Sequence, residues 1–201
     1  RLVKYVTTDI NGDEVDHDMI LPRKSLNLLR SILPSDKSSQ IKIDFNASNA
    51  FFSFDNIKMV CRLIDERYPD YDNVIPANNS NTITISKTDI LGSLKRISIY
   101  ANKTTNQVRL KISGSEILIS AEDLDFSNEA NERISCDHDG DDIEIGFNAK
   151  FLIEMISNLH SDKVILKLSE PNRAGLILPD ESKDNEEITM LVMPVMLNDN
   201  V

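Results

Sequence analysis

The 201-residue sequence has no tryptophan, two cysteines, six glycines and seven prolines, and aromatic residues make up only 5% of it. Cys61 and Cys136 are too few for a disulfide framework or, by themselves, a metal centre, so a reducing cytoplasm is the expected compartment. The scarcity of glycine and proline excludes a collagen-like or low-complexity chain. No apolar run approaches the ~20 residues of a membrane helix. The best, Ile188 to Leu197, is interrupted by Pro194. No secretory leader is read at the start, and an opening on Arg1 is expected of a piece of a longer protein. Basic residues are short as well: 22 Lys and Arg stand against 33 Asp and Glu, a net charge of −11. On its face that balance argues against a nucleic-acid partner.

What is present is a repeated pattern of elements. Arg1 to Thr8 reads as a strand running into the turn signal Asn11-Gly12 and an acidic loop, Asp13 to Asp18. Pro22 to Leu33 reads as a helix, with Pro22 in the first turn and Leu26, Leu29 and Leu33 at helical spacing. Strands are expected at Ile41 to Phe45, Phe52 to Phe54 and Lys58 to Ile64. Small and polar residues from Ala77 to Asn81 read as a linker, dividing the chain into 1–80 and 81–201. Beyond it, Thr88 to Ala101 reads as a helix, followed by strands at Val108 to Ile112, Glu116 to Ala121 and Glu132 to Cys136. Asp139-Gly140 is expected to be a hairpin turn into Asp142 to Phe147. A third helix runs from the N-cap Asn148 to Leu159, ahead of strands at Val164 to Leu168, Gly175 to Leu178 and Ile188 to Val195. Helix followed by three strands thus recurs three times. The implied class is α+β, built from duplicated strand–helix–three-strand units.

The net charge conceals its distribution. The first helix carries Arg23, Lys24 and Arg30 without an acid, and the second carries Lys95 and Arg96 against Asp89. Such faces can meet phosphates while the rest of the surface repels them, although a solvated helix face looks the same. No catalytic constellation converges: His17, His138 and His160 are isolated, and no phosphate loop, dinucleotide fingerprint or nucleophile elbow occurs. The acids from Asp137 to Asp142 invite a divalent cation, and a metal-dependent hydrolase is the alternative they suggest. They miss calcium-loop spacing, because with Gly140 at the sixth position the twelfth is Gly146 rather than glutamate. The chain is read as non-enzymatic, without a cofactor or metal.

Four segments then resemble one family, the bacterial DNA polymerase III beta subunits, or sliding clamps. They are Leu21-Pro-Arg-Lys24, Leu63-Ile-Asp-Glu-Arg-Tyr-Pro-Asp-Tyr71 with Val74-Ile-Pro76, Ile143-Glu-Ile-Gly-Phe-Asn148, and Leu191-Val-Met-Pro-Val-Met-Leu197. They lie in the family's order along the whole chain. The resemblance implies a truncated second clamp domain over 1–80 and a third domain over 81–201, with helices lining an inner face and antiparallel sheets outside. It implies a processivity factor: two full-length protomers closing a ring around duplex DNA and holding the replicative polymerase there. Arg23 and Lys24 match the lining positions, with Lys95, Arg96 and Lys150 as further DNA-contact candidates.

The resemblance also implies a pocket between the second and third domains. Polymerase, clamp loader and repair proteins would insert short motifs with Gln, Leu and Phe anchors there. The implied lining is Arg1, Leu2, Pro69, Asn73, Val74, Asn172, Ala174, Leu191, Val192, Met193, Pro194, Val195 and Met196. Two features depart from the family: it carries a basic residue at the position of Met196, and its chains stop at that of Leu197. A protein-interaction scaffold of clamp architecture that never meets DNA is the competing reading. The fragment is expected to be monomeric, with a nucleoid-associated location and no membrane partner.

Overall fold

The computed structural model describes residues 1–8, 17–34, 40–182 and 185–197. The acidic loop read at Asp13 to Asp18 lies mostly outside them. The chain divides into two units, one made of Arg1–Asn11 with Asp72–Val201, the other of Gly12–Tyr71.

In the Gly12–Tyr71 unit, helix α1 (Arg23–Ile32) starts where Pro22, in extended backbone, offers its carbonyl to the Leu26 N–H. Proline suits that place because it has no N–H to leave unpaired. Three antiparallel strands follow: β2 (Lys42–Phe45), β3 (Asn49–Phe54) and β4 (Ile57–Arg62). Asn46 makes the first turn by accepting from the backbone N–H groups of Ser48 and Asn49. The core is Ala50, Phe52, Met59 and Cys61, with Leu29, Ile32 and Leu63 packed on it. The leucine stripe is therefore partly corrected. Leu29 faces the sheet, but Leu26 and Leu28 remain 43% and 53% exposed, and Ile32 takes part instead. A three-strand sheet leaves the flanks of this helix uncovered.

The larger unit holds two sheets. The first has the order β1 (Leu2–Thr7), β13 (Glu186–Val192), β12 (Gly175–Pro179), β11 (Lys163–Leu168), β5 (Asn81–Ser86) and β9 (Asp137–Asp139). The second has the order β10 (Ile143–Asn148), β6 (Gln107–Ser113), β7 (Glu116–Asp123) and β8 (Asn128–Ser135). Every pairing is antiparallel. Helices α2 (Lys87–Ile97) and α3 (Ala149–Ser157) lie against each other. They bury Ile90, Leu94, Leu152, Met155 and Ile156 in one core with residues of both sheets, from Ile83 and Leu110 to Met190 and Val192.

The caps explain where these helices begin. The Ser86 side chain accepts from Asp89 N, and the Asn148 side chain accepts from Phe151 N while donating to the Thr105 carbonyl at 2.8 Å. Helix α2 stops at Ile97, earlier than its periodicity suggests. There Ile99 N bonds to Arg96 O and Tyr100 N to Ile97 O, tightening the chain into i→i+3 turns.

Two sequence expectations are corrected. Asp139-Gly140 is not a hairpin turn: β8 pairs with β7, the edge strand β9 with β5, and β10 with β6. The loop therefore crosses from one sheet to the other, with Gly140 at φ 144° packed on Asn81. The last strand ends at Val192 rather than Val195, because Pro194 has no N–H to give the ladder.

Candidate docking face and basic helices

Strand pairing on the sheet face opposite the helices brings distant residues together. In β13, Met190 and Val192 point into the main core and Leu191 points the other way. Leu191 pairs with Leu2 of β1 and with Leu176 of β12, so these three share one face. Ala174 and Ile75 complete a cluster separate from the main core. Ile75 reaches it because the chain from Asp72 to Ser80 is tied down at both ends. Lys4 pairs with Asp72 at 3.0 Å, beside the 3-10 turn Asp72–Val74. The Asn79 side-chain amide donates to the carbonyls of Lys167 at 2.8 Å and Ala174 at 3.2 Å.

Of the residues expected to line a peptide pocket, Leu2, Ala174 and Leu191 therefore meet, and Ile75 and Leu176 join them unforeseen. Val74 is 57% exposed next to Ile75, and Asn73 and Asn172 are exposed as well. Beyond β13, Met193 and Met196 are 54% and 71% exposed, while Pro194 and Val195 are half-buried. Pro69 belongs to the other unit, where it is exposed.

Two of the candidates point elsewhere. Val192, 1% exposed, is part of the main core. Arg1, one residue out of phase with Leu2, turns to the helix side, where it pairs with Glu154 and lies 4.6 Å over the Phe151 ring. Alternation along a strand accounts for both. On that helix side a cleft of about 680 Å³ is lined by Val3, Tyr5, Glu154, His160 and Ile188 among others.

The basic candidates sit on helices and are exposed. Arg23 and Lys24 open α1, Lys95 and Arg96 close α2, and Lys150 is in the first turn of α3. Arg96 differs from the rest. Its guanidinium grips Glu132 of β8 with two N–H groups, Nε at 3.1 Å. The same hydrogen bond, more than charge attraction, holds the Glu132 carboxyl below the ordinary carboxylate range.

The sign of that shift sets a pH dependence. A carboxylate whose folded pKa is depressed stabilises the fold above its unfolded pKa, about 4.3, and the contribution disappears as pH falls through the folded value. Arg96→Gln is therefore expected to lower the denaturant midpoint at neutral pH by more than at about pH 3, because the contribution fades as Glu132 takes up its proton. Urea titrations of the two proteins at both pH values check this. The neutral-pH difference should be small, because the pair is exposed to solvent.

Of the acids from Asp137 to Asp142, Asp142 is held by local hydrogen bonds. Asp142 accepts from Ser113 Oγ at 2.5 Å and from Gly114 N at 3.3 Å, and these bonds pull its pKa down. Among the described residues no three His, Cys, Asp or Glu groups stand close enough to hold a metal ion. Burial pushes the Cys136 thiol up, which keeps it protonated and unreactive at neutral pH.

Comparison with known proteins places these features in a family. The family described as DNA polymerase III beta subunit, central domain, matches residues 2–70, and the C-terminal domain of the same subunit matches residues 72–196. The beta sliding clamp of Pseudomonas putida is 26% identical over 181 residues, covering 90% of this chain and 48% of the relative. That of Streptococcus pneumoniae is 28% identical over 197 residues, covering 97% and 50%. Among solved structures, the DNA polymerase III subunit beta sliding clamp of Bartonella birtlesii superimposes with a TM-score of 0.83 at 25% identity, covering 89% of this chain and 50% of that one. A second structure of the clamp from that organism, bound to griselimycin, gives 0.82 at 26%, covering 89% and 47%. The chain spans about half the length of the curated relatives it matches. With both domain descriptions falling in order along an α+β fold that has three α-helices and antiparallel sheets among its described residues, this chain belongs to the DNA polymerase III beta subunit family of sliding clamps.

Proposed function

We propose that this chain is the partner-docking part of a sliding clamp, a protein that catalyses nothing and holds a replicative polymerase on duplex DNA. The observation that carries the docking role is the apolar cluster of Leu2, Ile75, Ala174, Leu176 and Leu191, with the exposed Met193 and Met196 following Leu191 in the chain. Branched aliphatic walls with adaptable methionine beside them suit hydrophobic anchors of an extended peptide. The ligands proposed are the family's motifs with Gln, Leu and Phe anchors, carried by polymerase, clamp loader and repair proteins. The reading of 1–80 as a second clamp domain and 81–201 as a third is part of this proposal, as are a ring-shaped homodimer of the full-length protein and its place on the nucleoid.

DNA contact is assigned to Arg23, Lys24, Lys95 and Lys150, with Arg96 held back by Glu132. A clamp that slides needs phosphate contacts that are few, weak and independent of sequence. A mainly acidic protein with scattered helix-borne cations is consistent with that. Replacing Arg23 and Lys24 by Glu in the full-length protein is expected to weaken duplex binding several-fold at low salt, with the difference shrinking as salt rises. Motif-peptide binding should be unchanged. Equal retention on circular DNA by both proteins would favour the competing scaffold reading, which the net charge of −11 and the engagement of Arg96 support.

A further inference from the structure

After Val192 the chain leaves β13, and Met193 and Pro194 carry it to a second anchor on a different sheet. Val195 N donates to Gly146 O at 2.8 Å, an isolated antiparallel bridge onto β10. As the edge strand of its sheet, β10 has this side open to receive the bridge. A Cβ added at Gly146 would stand 2.5 Å from the Val195 carbonyl oxygen and 2.7 Å from Leu197 Cδ2. The first of these is backbone, so relief requires moving the segment itself. Positive φ does not explain the glycine, because the described glycines with positive φ are Gly114 and Gly140. What position 146 requires is close approach by another main chain.

We infer that Gly146 is the positioning residue of the docking segment. The missing side chain lets Val195 to Leu197 lie on β10, and this fixes the course of the exposed Met193 and Met196 beyond Leu191. The inference rests on the docking role proposed above and assigns part of that role to a residue about fifty positions away in sequence. Gly146 acts through Val195 and touches no peptide.

The test uses this 201-residue chain with a Gln-Leu-Ser-Leu-Phe peptide and Gly146→Ala, read by calorimetry and by amide hydrogen exchange. The expected result is that Val195 N–H exchanges at least about tenfold faster in the variant and peptide affinity falls by about tenfold. Protection of Leu110 and Ile119, in the middle of the sheet, should stay as it was. A generally destabilised core would move all three amides together. Should Gly146→Ala fail to fold, Leu197→Ala carries the same readouts in the same direction without adding an atom at 146. Unchanged Val195 protection, or loosened Val195 with unchanged affinity, overturns the inference while leaving the docking role standing. Absence of peptide binding by the unaltered, folded chain overturns the docking role and this inference with it.

Discussion

Gly140→Ala is expected to destabilise the larger unit by about 2–4 kcal/mol, a severe effect for adding one methyl group. Two costs combine there. The backbone at φ 144° lies where L-residues are strained. The new Cβ would also stand 2.1 Å from Asn81 Oδ1 and 2.9 Å from Asn81 Cα. The side-chain oxygen can swing away, but the Cα belongs to the first residue of β5, whose Ile83 and Ile85 are core. Gly114 is the control: its φ is also positive, at 54°, but nothing lies within 4 Å of its missing Cβ. Gly114→Ala should therefore show the backbone cost alone, about 1 kcal/mol. Urea midpoints of the two variants separate strain from packing. Equal losses would show that the crossing between sheets does not depend on contact with Asn81.

Met193→Glu is expected to weaken binding of a Gln-Leu-Ser-Leu-Phe peptide at least about tenfold while leaving the urea midpoint nearly unchanged. Met193 is 54% exposed just past β13, so the folded protein loses little packing when it is replaced. In a complex the position would be covered by an apolar anchor, and an ionised carboxylate buried there without a partner is costly. Calorimetric titration of both proteins checks this. A lost midpoint together with lost affinity would mean that the methionine is structural. A kept midpoint with kept affinity would move the anchor away from this segment.

Much of the fold was legible because its helices and most of its strands announce themselves locally. Asn148 caps α3 as its side chain suggests, and Pro22 stands at the entry to α1. Strand β5 is absent from the sequence reading, whose linker ends at Asn81, although Thr82-Ile-Thr-Ile-Ser86 alternates strictly. Its short run follows the polar stretch from Ala77 and abuts a helix, which obscures it. The turn signal at Asp139-Gly140 implies a hairpin only where strands adjacent in sequence pair, and β9 and β10 lie in different sheets. Which strand β10 joins is a long-range fact that no local turn signal carries.

The docking face was legible only in part, for the same reason. Leu191, Ala174 and Leu2 followed from resemblance to the clamps, but their assembly depends on the registers Leu2↔Leu191 and Leu176↔Leu191. Once the register is known, alternation adds Leu176 and turns Arg1 and Val192 to the opposite face. Ile75 needed the tethers at Asp72 and Asn79, which join residues about seventy and ninety positions apart. The engagement of Arg96, a DNA-contact candidate, is invisible in the sequence because its partner, Glu132, is on a different element.

The measurement that bears most directly on the docking role is amide chemical-shift mapping of the labelled 201-residue chain during titration with the Gln-Leu-Ser-Leu-Phe peptide. The predicted result is saturable shifts at Leu2, Ile75, Ala174, Leu176 and Leu191, extending to Met193 and Val195, with Arg23 and Lys24 unmoved. Shifts confined to Val3, Tyr5 and His160 in the cleft beside α3, or no saturable shift in a folded chain, would contradict the docking face.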